Sequence, residues 1–136
     1  MKLITQSITL ALGLAVSAGA MAQNITDSSY RAEKDRIEAD YKSAKANCES
    51  LSGNSKDVCV AEAKGKEKIA KAELNARHKS TPKNQYDVQA AKAEAAYEVA
   101  KEKCDDRTGN DRDVCVKEAK AAETRAKADA DRRSVV

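Results

Sequence analysis

One stretch of the sequence occurs twice, as GNSKDVCVAEAK at residues 53–64 and as GNDRDVCVKEAK at residues 109–120. The two copies lie 56 residues apart. Upstream of each copy, two tyrosines and a further cysteine repeat at the same distance, so that Tyr30, Tyr41 and Cys48 match Tyr86, Tyr97 and Cys104. Self-similarity at a fixed period indicates a duplicated structural unit. The sequence therefore predicts two tandem repeats, at residues 23–79 and 80–136.

Each repeat has the pattern of a helical hairpin. In the first half of each repeat, apolar residues recur mainly at spacings of three and four, which is typical of a helix that packs along one coiled-coil seam. Alanine, the strongest helix former, carries most of the apolar content. We therefore expect an all-α fold of two antiparallel hairpins, with four helices arranged as a four-helix bundle or as an extended pair. The predicted seam residues are Tyr30, Ile37, Tyr41 and Leu51 in the first repeat and Tyr86 and Tyr97 in the second.

A glycine marks the turn of each hairpin. We expect Gly53 and Gly109 to take the left-handed conformation that ends the first helix of the hairpin. The next residues are predicted to cap the second helices, which we place at residues 55–79 and 111–131. An aspartate three residues further on would favour the positive end of each helix dipole. These predicted capping and dipole residues are Asn54, Asp57, Asn110 and Asp113.

Two other positions bear on the helix boundaries and contacts. Thr81 is the predicted N-cap of the third helix, with Pro82 in its first position, where the missing N–H of proline costs nothing. Gly65 lies inside the second helix, where the other repeat has Ala121. Glycine costs a helix about 1 kcal/mol relative to alanine. We therefore expect either simple tolerance or a close helix contact at Gly65.

The beginning of the chain has the features of a secretory signal peptide. Lys2 precedes an apolar run at residues 8–16, and small residues follow up to Ala20-Met21-Ala22. The run is shorter than the roughly 20 residues that a membrane helix needs, and the Ala-x-Ala ending is typical of a cleavage site. We predict a signal peptide at residues 1–22, a mature chain that starts at Gln23, and no stable membrane anchor after cleavage.

The four cysteines are predicted to form two disulfides. Cys48 and Cys59 flank the turn of the first hairpin at similar distances, and Cys104 and Cys115 repeat this spacing. Export would place them in an oxidising compartment, where disulfides persist. Four cysteines allow three pairings. We predict one bond within each hairpin, Cys48 with Cys59 and Cys104 with Cys115, because a duplicated unit should be closed by its own bond.

The composition predicts a thin core and a mixed-charge surface. The chain has four Tyr and no Phe or Trp, and alanine buries little area. Basic and acidic residues alternate, with Glu and Lys or Arg often four apart in the order that stabilises helices. This pattern is typical of solvated helices and not of a phosphate-binding stripe, so we expect no nucleic-acid partner. The predicted four-apart pairs are Glu38 with Lys42, Glu62 with Lys66, Glu67 with Lys71, Glu73 with Arg77 and Glu123 with Lys127.

The residue spacings do not fit several kinds of chemical site. Zinc sites and redox-active pairs use cysteines two to four residues apart, whereas ten residues separate each pair here. The acidic turn at residues 105–111 lacks the ligand spacing of a calcium loop. His78 is expected to be an ordinary exposed residue at a helix end. We find no nucleophile with its base and no phosphate-binding loop, so we expect no metal, no cofactor and no enzymatic activity.

The repeated motifs resemble a family of small exported proteins of beta-proteobacteria, many of which carry the label "cell envelope biogenesis protein TolA". The resemblance rests on Tyr-x-x-Ala-Lys-x-x-Cys at residues 41–48 and 97–104, each followed by Gly-Asn-x-x-Asp-Val-Cys-Val-x-Glu-Ala-Lys. It covers nearly all of the predicted mature chain. The resemblance implies an exported envelope protein, and with TolA itself the chain shares an Ala/Lys-rich helical character.

These features together predict a class of function. We expect a soluble protein, periplasmic or secreted, with a structural or interaction role in the cell envelope. Its partner would be an envelope protein or a second copy of the chain. The alternative is a small periplasmic binding or stress-protective module, which would need exposed apolar grooves.

Overall fold

The computed structural model describes residues 25–134, and almost all of them are helical. The helices are α1 (Asp27–Cys48), α2 (Gly53–His78), α3 (Pro82–Cys104) and α4 (Gly109–Ser134), and this range contains no strand. The predicted all-α class with four helices is therefore confirmed. The predicted signal peptide, residues 1–22, and the predicted first mature residue, Gln23, lie outside the described residues. Within the described range, no helix is both long and apolar enough to cross a bilayer.

Threonine side chains cap the first helix of each hairpin. Thr26 precedes α1, and its Oγ1 accepts a hydrogen bond from the backbone N–H of Ser29 at 3.3 Å. Thr81 precedes α3, and its Oγ1 accepts from the N–H of Asn84 at 3.1 Å. Pro82 is the first residue of α3. The predicted start of the third helix is thus confirmed, and each threonine pairs a backbone donor that the helix cannot satisfy.

The turns differ from the prediction in where the glycines lie. Gly53 and Gly109 both have φ of +57°, the left-handed conformation expected of them. They stand at the first residue of α2 and α4, however, whereas the preceding helices end at Cys48 and Cys104. Four residues reverse the chain before each glycine. Its positive φ then directs the chain into the second helix.

The predicted caps of the second helices are wrong for the same reason. Asn54 and Asn110 already lie in the first turn of α2 and α4, and the extended residue before α2 is Ser52. Asp57 lies beyond the first turn of α2, which contains no acidic residue, and Asp113 occupies the matching position in α4. The helix dipole acts mainly within the first turn. The two aspartates therefore contribute less to the helix starts than the sequence suggested.

The four helices form an open layer in which each contacts only its neighbours in sequence. Within residues 25–134, α1 packs on α2, α2 on α3 and α3 on α4, and no other pair of helices comes into contact. Short turns make successive helices antiparallel. A closed four-helix bundle would bring α1 against α4, so this arrangement is not closed. The hairpins lie side by side and pack through α2 and α3, and not end to end.

Buried residues alternate along the two inner helices. Ala61, Ala63 and Gly65 are buried in α2, and the residues at 91, 93 and 95 in α3, all alanines, repeat the pattern. A step of two residues turns a helix by about 200°, so alternate residues point to opposite sides. This pattern places α2 and α3 between two neighbours each. The edge helices lack it, since Cys48 is the only buried residue of α1.

The two repeats approach each other closely at one glycine. A Cβ added to Gly65 would lie 2.8 Å from the Cβ of Ala95, which is closer than real side chains approach. Of the two alternatives expected for Gly65, the close helix contact is therefore the one present. The largest fully buried side chains of the described chain are Leu74, Cys48 and Cys104. The core is as thin as the composition predicted, and cystine sulfurs fill part of it.

Both predicted disulfides are present. Cys48 bonds to Cys59 and Cys104 to Cys115, and in each bond the two Cα atoms are 5.7 Å apart. No cysteine of the described chain is free. Each bond joins the two helices of one hairpin, beside the turn.

The predicted seam residues are half-buried with one exception. Tyr30, Ile37 and Tyr41 in α1, and Tyr86 and Tyr97 in α3, are partly covered by the neighbouring helices. Leu51 is 42% exposed and lies in the turn, so its assignment to the seam is wrong. The physical reason is that α1 ends at Cys48, and the seam periodicity ends with it.

The free ends of α1 and α2 are joined by a small polar cluster. The Tyr30 hydroxyl donates a hydrogen bond to Asn75 Oδ1 at 2.7 Å, and its ring lies 4.7 Å from that of His78, centroid to centroid. The His78 Nδ1 lies 3.2 Å from the carbonyl oxygen of Ile25, and Nε2 lies 3.4 Å from a carboxylate oxygen of Asp27. The expectation that His78 is an ordinary exposed residue is therefore wrong, because its side chain is only 23% exposed.

Tyr30→Phe tests this cluster against the equivalent position of the second repeat. The substitution removes the hydroxyl that binds Asn75, and we expect the free energy of unfolding to fall by about 0.5 to 1 kcal/mol. Tyr86→Phe is the matched control, because its hydroxyl makes no hydrogen bond within the described chain. Urea unfolding measures both. Equal losses for the two variants would contradict the assignment.

Candidate docking groove

A groove of about 550 Å³ runs along one face of the layer and is lined by side chains of α2, α3 and α4. Its floor is the contact of Gly65 with Ala95, and its walls carry long polar side chains from all three helices. Its lining includes Lys64 and Lys68 of α2, Glu94 and Tyr97 of α3, and Lys120 and Glu123 of α4.

A continuous chain of ion pairs crosses this groove. Glu94 of α3 pairs with Lys68 of α2 and, at 2.6 Å, with Lys127 of α4. Lys127 also pairs with Glu123 at 2.8 Å, and Glu123 pairs with Lys120 at 2.7 Å. These bonds tie three helices together. Lys68 is the only one of these residues that belongs to the first repeat, so its bond to Glu94 links the two repeats.

Glu123 is the one charged residue that is buried among residues 25–134, at 6% exposure. A buried carboxylate is costly unless cations and hydrogen bonds compensate it. Here Lys120 and Lys127 supply both. The Lys120 ammonium also lies 4.9 Å from the centre of the Tyr97 ring, within the range of a cation–π contact. Tyr97 thus helps to hold Lys120 in the groove.

The first repeat contains the same arrangement in simpler form. Lys71 of α2 pairs with Glu67 at 2.7 Å and with Glu38 of α1 at 3.6 Å. These three residues are the 56-residue counterparts of Lys127, Glu123 and Glu94. We call each set an ion triad. Tyr41, the counterpart of Tyr97, lines a cavity of about 290 Å³ beside the first triad, together with Ile37.

A second pair of ion contacts repeats at the turns. Lys56 of α2 binds Glu49 at 2.6 Å, and Arg112 of α4 binds Asp105 at 2.7 Å. These residues are counterparts, and each bond spans the turn next to the disulfide. The Lys56 hydrogen bond and charge lower the pKa of the Glu49 carboxyl.

The sequence predicted only part of this pairing. The expected four-apart pairs Glu67 with Lys71 and Glu123 with Lys127 are present. Other glutamates, however, bind a cation on the neighbouring helix, since Glu38 binds Lys71, and Glu73 binds Lys92 of α3 at 3.0 Å. Spacing along one helix cannot show which cation the next helix brings near. A signal was available, because all three triad positions recur 56 residues apart.

The hydrogen bonds of the triads shift the pKa values so that the ion pairs persist. Bonds from Lys127 and Lys68 lower the pKa of Glu94, and bonds from Lys120 and Lys127 lower that of Glu123. The bonds to Glu123 and Glu94 raise the pKa of Lys127. In the first triad, the bond to Glu67 raises the pKa of Lys71. All these groups are therefore charged at neutral pH.

Acid should weaken the second triad, and Glu123→Gln should reduce this effect. Because folding lowers the pKa of these carboxylates, they stabilise the fold at pH values above their ordinary pKa of about 4.3. This contribution is lost as the pH falls through their pKa in the folded state. We expect Glu123→Gln to lower the free energy of unfolding by about 1 kcal/mol at neutral pH, since its lysine partners are partly exposed. We also expect a shallower loss of stability below about pH 4.5.

Urea unfolding at several pH values, with Glu62→Gln as control, tests this expectation. Glu62 is exposed and forms no ion pair in the described structure. A variant at Glu123 whose stability falls with acid as steeply as that of the parent would refute the role of the triad.

The groove contains fixed and mutually neutralised charges. Within residues 25–134, no buried side-chain nitrogen or oxygen lacks a hydrogen-bond partner, and no group of three or more His, Cys, Asp or Glu is placed to hold a metal ion. Comparison with protein-family models, with curated proteins and with solved structures gave no match. The two disulfides are typical of a protein outside the cytoplasm. What the groove offers is a preformed polar surface over a small-residue floor.

Proposed function

We propose that this chain is a non-catalytic interaction protein of the bacterial cell envelope, which acts in the periplasm and binds a protein partner in the groove of α2, α3 and α4. The observation that carries the proposal is the open layer. Because the described helices do not close into a bundle, both faces of α2 and α3 stay accessible, and the disulfides hold them in place without a large core. The resemblance of residues 41–64 and 97–120 to small exported envelope proteins supports the location.

The groove is suited to another polar helix or extended segment. Lys64, Lys68 and Lys120 alternate with carboxylates along its walls, and Gly65 and the alanines keep its floor flat. Such a surface selects partners by matching their charge pattern, because rim charges mostly set specificity and the rate of association. The side chains in the triads are already held by their own bonds, which lowers the entropy lost on binding.

Site-specific photo-crosslinking in intact cells tests the proposal. A photoreactive residue at Lys64 would lie in the groove, whereas one at Arg36 would lie on the exposed outer side of α1 as the matched control. We expect one discrete crosslinked partner from position 64 and none from position 36. No product from either position, or the same products from both, would contradict docking in the groove.

A separate measurement tests the location. Thiols of the periplasmic protein should resist alkylation until a reductant is added, and its intact mass should lack residues 1–22. Free thiols on the protein as isolated would contradict action in an oxidising compartment.

One observation favours a second candidate, the binding or stress-protective module. On the opposite face of the layer, a shallow apolar depression of about 470 Å³ is lined by Ile69, Ala96, Val99 and Ala100. This candidate predicts that the protein binds an apolar dye and slows the aggregation of a reduced client, and that Ile69→Lys abolishes both effects. Failure of the oxidised protein in both assays would eliminate it.

A further inference from the structure

The contact between the two repeats shows how a further repeat would have to dock. In the interface between repeats, α2 packs on α3. We call the sides of α2 and α3 that face each other their inner sides, and the sides of α1 and α4 that face away from the layer their outer sides. Helix α4 is the repeat copy of α2, and α1 is the copy of α3. The outer side of α4 therefore corresponds to the inner side of α2, and the outer side of α1 to the inner side of α3. A second copy of the chain could extend the layer by placing its α1 on α4 of the first.

The outer side of α4 lacks the residues that make this contact in α2. Buried Ala61 and Ala76, and Ile69 beside them, have the counterparts Lys117, Arg132 and Arg125, all exposed. Gly65, which allows the approach to Ala95, is replaced by Ala121. If α4 made the same contact, Lys117, Arg132 and, in part, Arg125 would become buried. The methyl group of Ala121 would also press into the neighbouring helix. Burying unpaired charge is strongly unfavourable.

The outer side of α1 has changed in the same direction. Val88 and Ala91 are buried in α3, and Val99 lies beside them, whereas their counterparts Ala32, Asp35 and Ser43 are exposed. The link from Lys68 to Glu94 is lost as well, because Thr124 stands in place of the lysine.

One pair of charges is retained at the edges. Asp129 and Arg36 are the counterparts of Glu73 and Lys92, which form an ion pair across the interface between repeats. Exposed ion pairs contribute at most about 1 kcal/mol. This single pair does not offset the loss of apolar contact and the burial of Lys117 and Arg132.

We propose that the outer sides of α1 and α4 are caps, which stop the layer at two repeats and keep a second copy of the chain from extending it. Repeat proteins need polar outer faces on their terminal units, and an open head-to-tail contact that does not close would produce filaments. The proposal does not rest on the proposed function. It implies that a partner binds the faces of the layer and not its edges.

Two complementary variants of the full chain test the caps. The first gives α4 the inner side of α2, through Lys117→Ala, Ala121→Gly, Thr124→Lys, Arg125→Ile and Arg132→Ala. The second gives α1 the inner side of α3, through Ala32→Val, Asp35→Ala and Ser43→Val. Each variant has one opened edge and one capped edge. Circular dichroism and non-reducing mass spectrometry verify that both retain their helices and disulfides.

The caps predict a distinct pattern in sedimentation velocity. The parent chain and each variant alone should be monomeric, a mixture of the two variants should form a dimer with one copy of each and no larger species, and a chain with both edges opened should form an open series of oligomers. A parent chain that self-associates and is dissociated by Arg132→Glu would overturn the proposal. So would a mixture of the two folded variants that stays monomeric.

Discussion

Reduction of both disulfides is expected to lower the free energy of unfolding by about 4 to 6 kcal/mol. Each bond closes a loop with a sequence separation of 11 residues, and a loop of this size contributes about 2 to 3 kcal/mol by restricting the unfolded chain. Domains are stable by only about 5 to 15 kcal/mol in total. With Leu74 as the one large apolar side chain that is fully buried in the described structure, the reduced chain should be close to unfolded.

The edge helices should be released first. Cys48 is the only buried residue of α1, and the buried residues of α4 are Glu123 and Ala130, whereas α2 and α3 each bury several residues against one another. Hydrogen exchange of the reduced protein should therefore be fastest in α1 and α4 and slowest in α2 and α3, since opening follows the local density of buried contacts.

Removing one bond at a time separates the two edges. The double variant Cys48→Ser with Cys59→Ser should release α1 and leave α4 protected, and Cys104→Ser with Cys115→Ser should do the reverse. Each double variant serves as the control for the other. Exchange that rises uniformly along the chain in either variant, or first in α2 and α3, would show that the edge helices are not held mainly by their disulfides.

Substitution of Gly65 is expected to destabilise the protein, although alanine is the better helix former. Gly65→Ala gains about 1 kcal/mol of helix propensity. Its Cβ, however, would meet the Cβ of Ala95 at 2.8 Å, so α2 and α3 must shift relative to each other at this contact. We expect a net loss of about 1 to 2 kcal/mol, and about 3 kcal/mol for Gly65→Leu, from overpacking.

Two further variants test this expectation, one at the matched position of the second repeat and one that exchanges the two residues in contact. Ala121→Gly, at the counterpart of Gly65 on the outer side of α4, should cost only the propensity term of about 1 kcal/mol. Combining Gly65→Ala with Ala95→Gly moves the methyl group from one helix to the other and should restore most of the stability. Urea unfolding of the single and double variants gives the coupling energy, expected at about 1 to 3 kcal/mol. A stabilising Gly65→Ala, or a coupling near zero, would show that the helices do not touch there.

Local spacing was sufficient to predict the elements and their crosslinks. The glycines at the turns, the capping Thr81 with Pro82 and the two disulfides all depend on residues close together in the chain, and the structure contains each of them. The errors at this level were small shifts. Gly53, with its positive φ, begins α2 and does not end α1. Asn54 therefore lies inside the helix, and Leu51 lies in the turn.

The arrangement of the helices could not be derived in the same way. Alanine seams allow close packing in many directions and bury too little area to favour one, so the repeat pattern was compatible with both a closed bundle and an extended pair. The alternation of buried residues at 61, 63 and 65, and again at 91, 93 and 95, is visible in the sequence only as alternate small residues. It acquires meaning once α2 and α3 are seen to lie between two neighbours each.

Among the charged side chains, too, the sequence predicted the contacts within one helix but not those between helices. Pairing along one helix was foreseen for Glu67 and Glu123, because it depends on a spacing of four. Glu123 is buried, and Glu94 pairs with Lys68 and Lys127. Both facts depend on the rotation and alignment of the neighbouring helices. Covalent bonds and backbone conformation act over a few residues and can be read locally, whereas long side chains select partners only after packing has brought distant helices together.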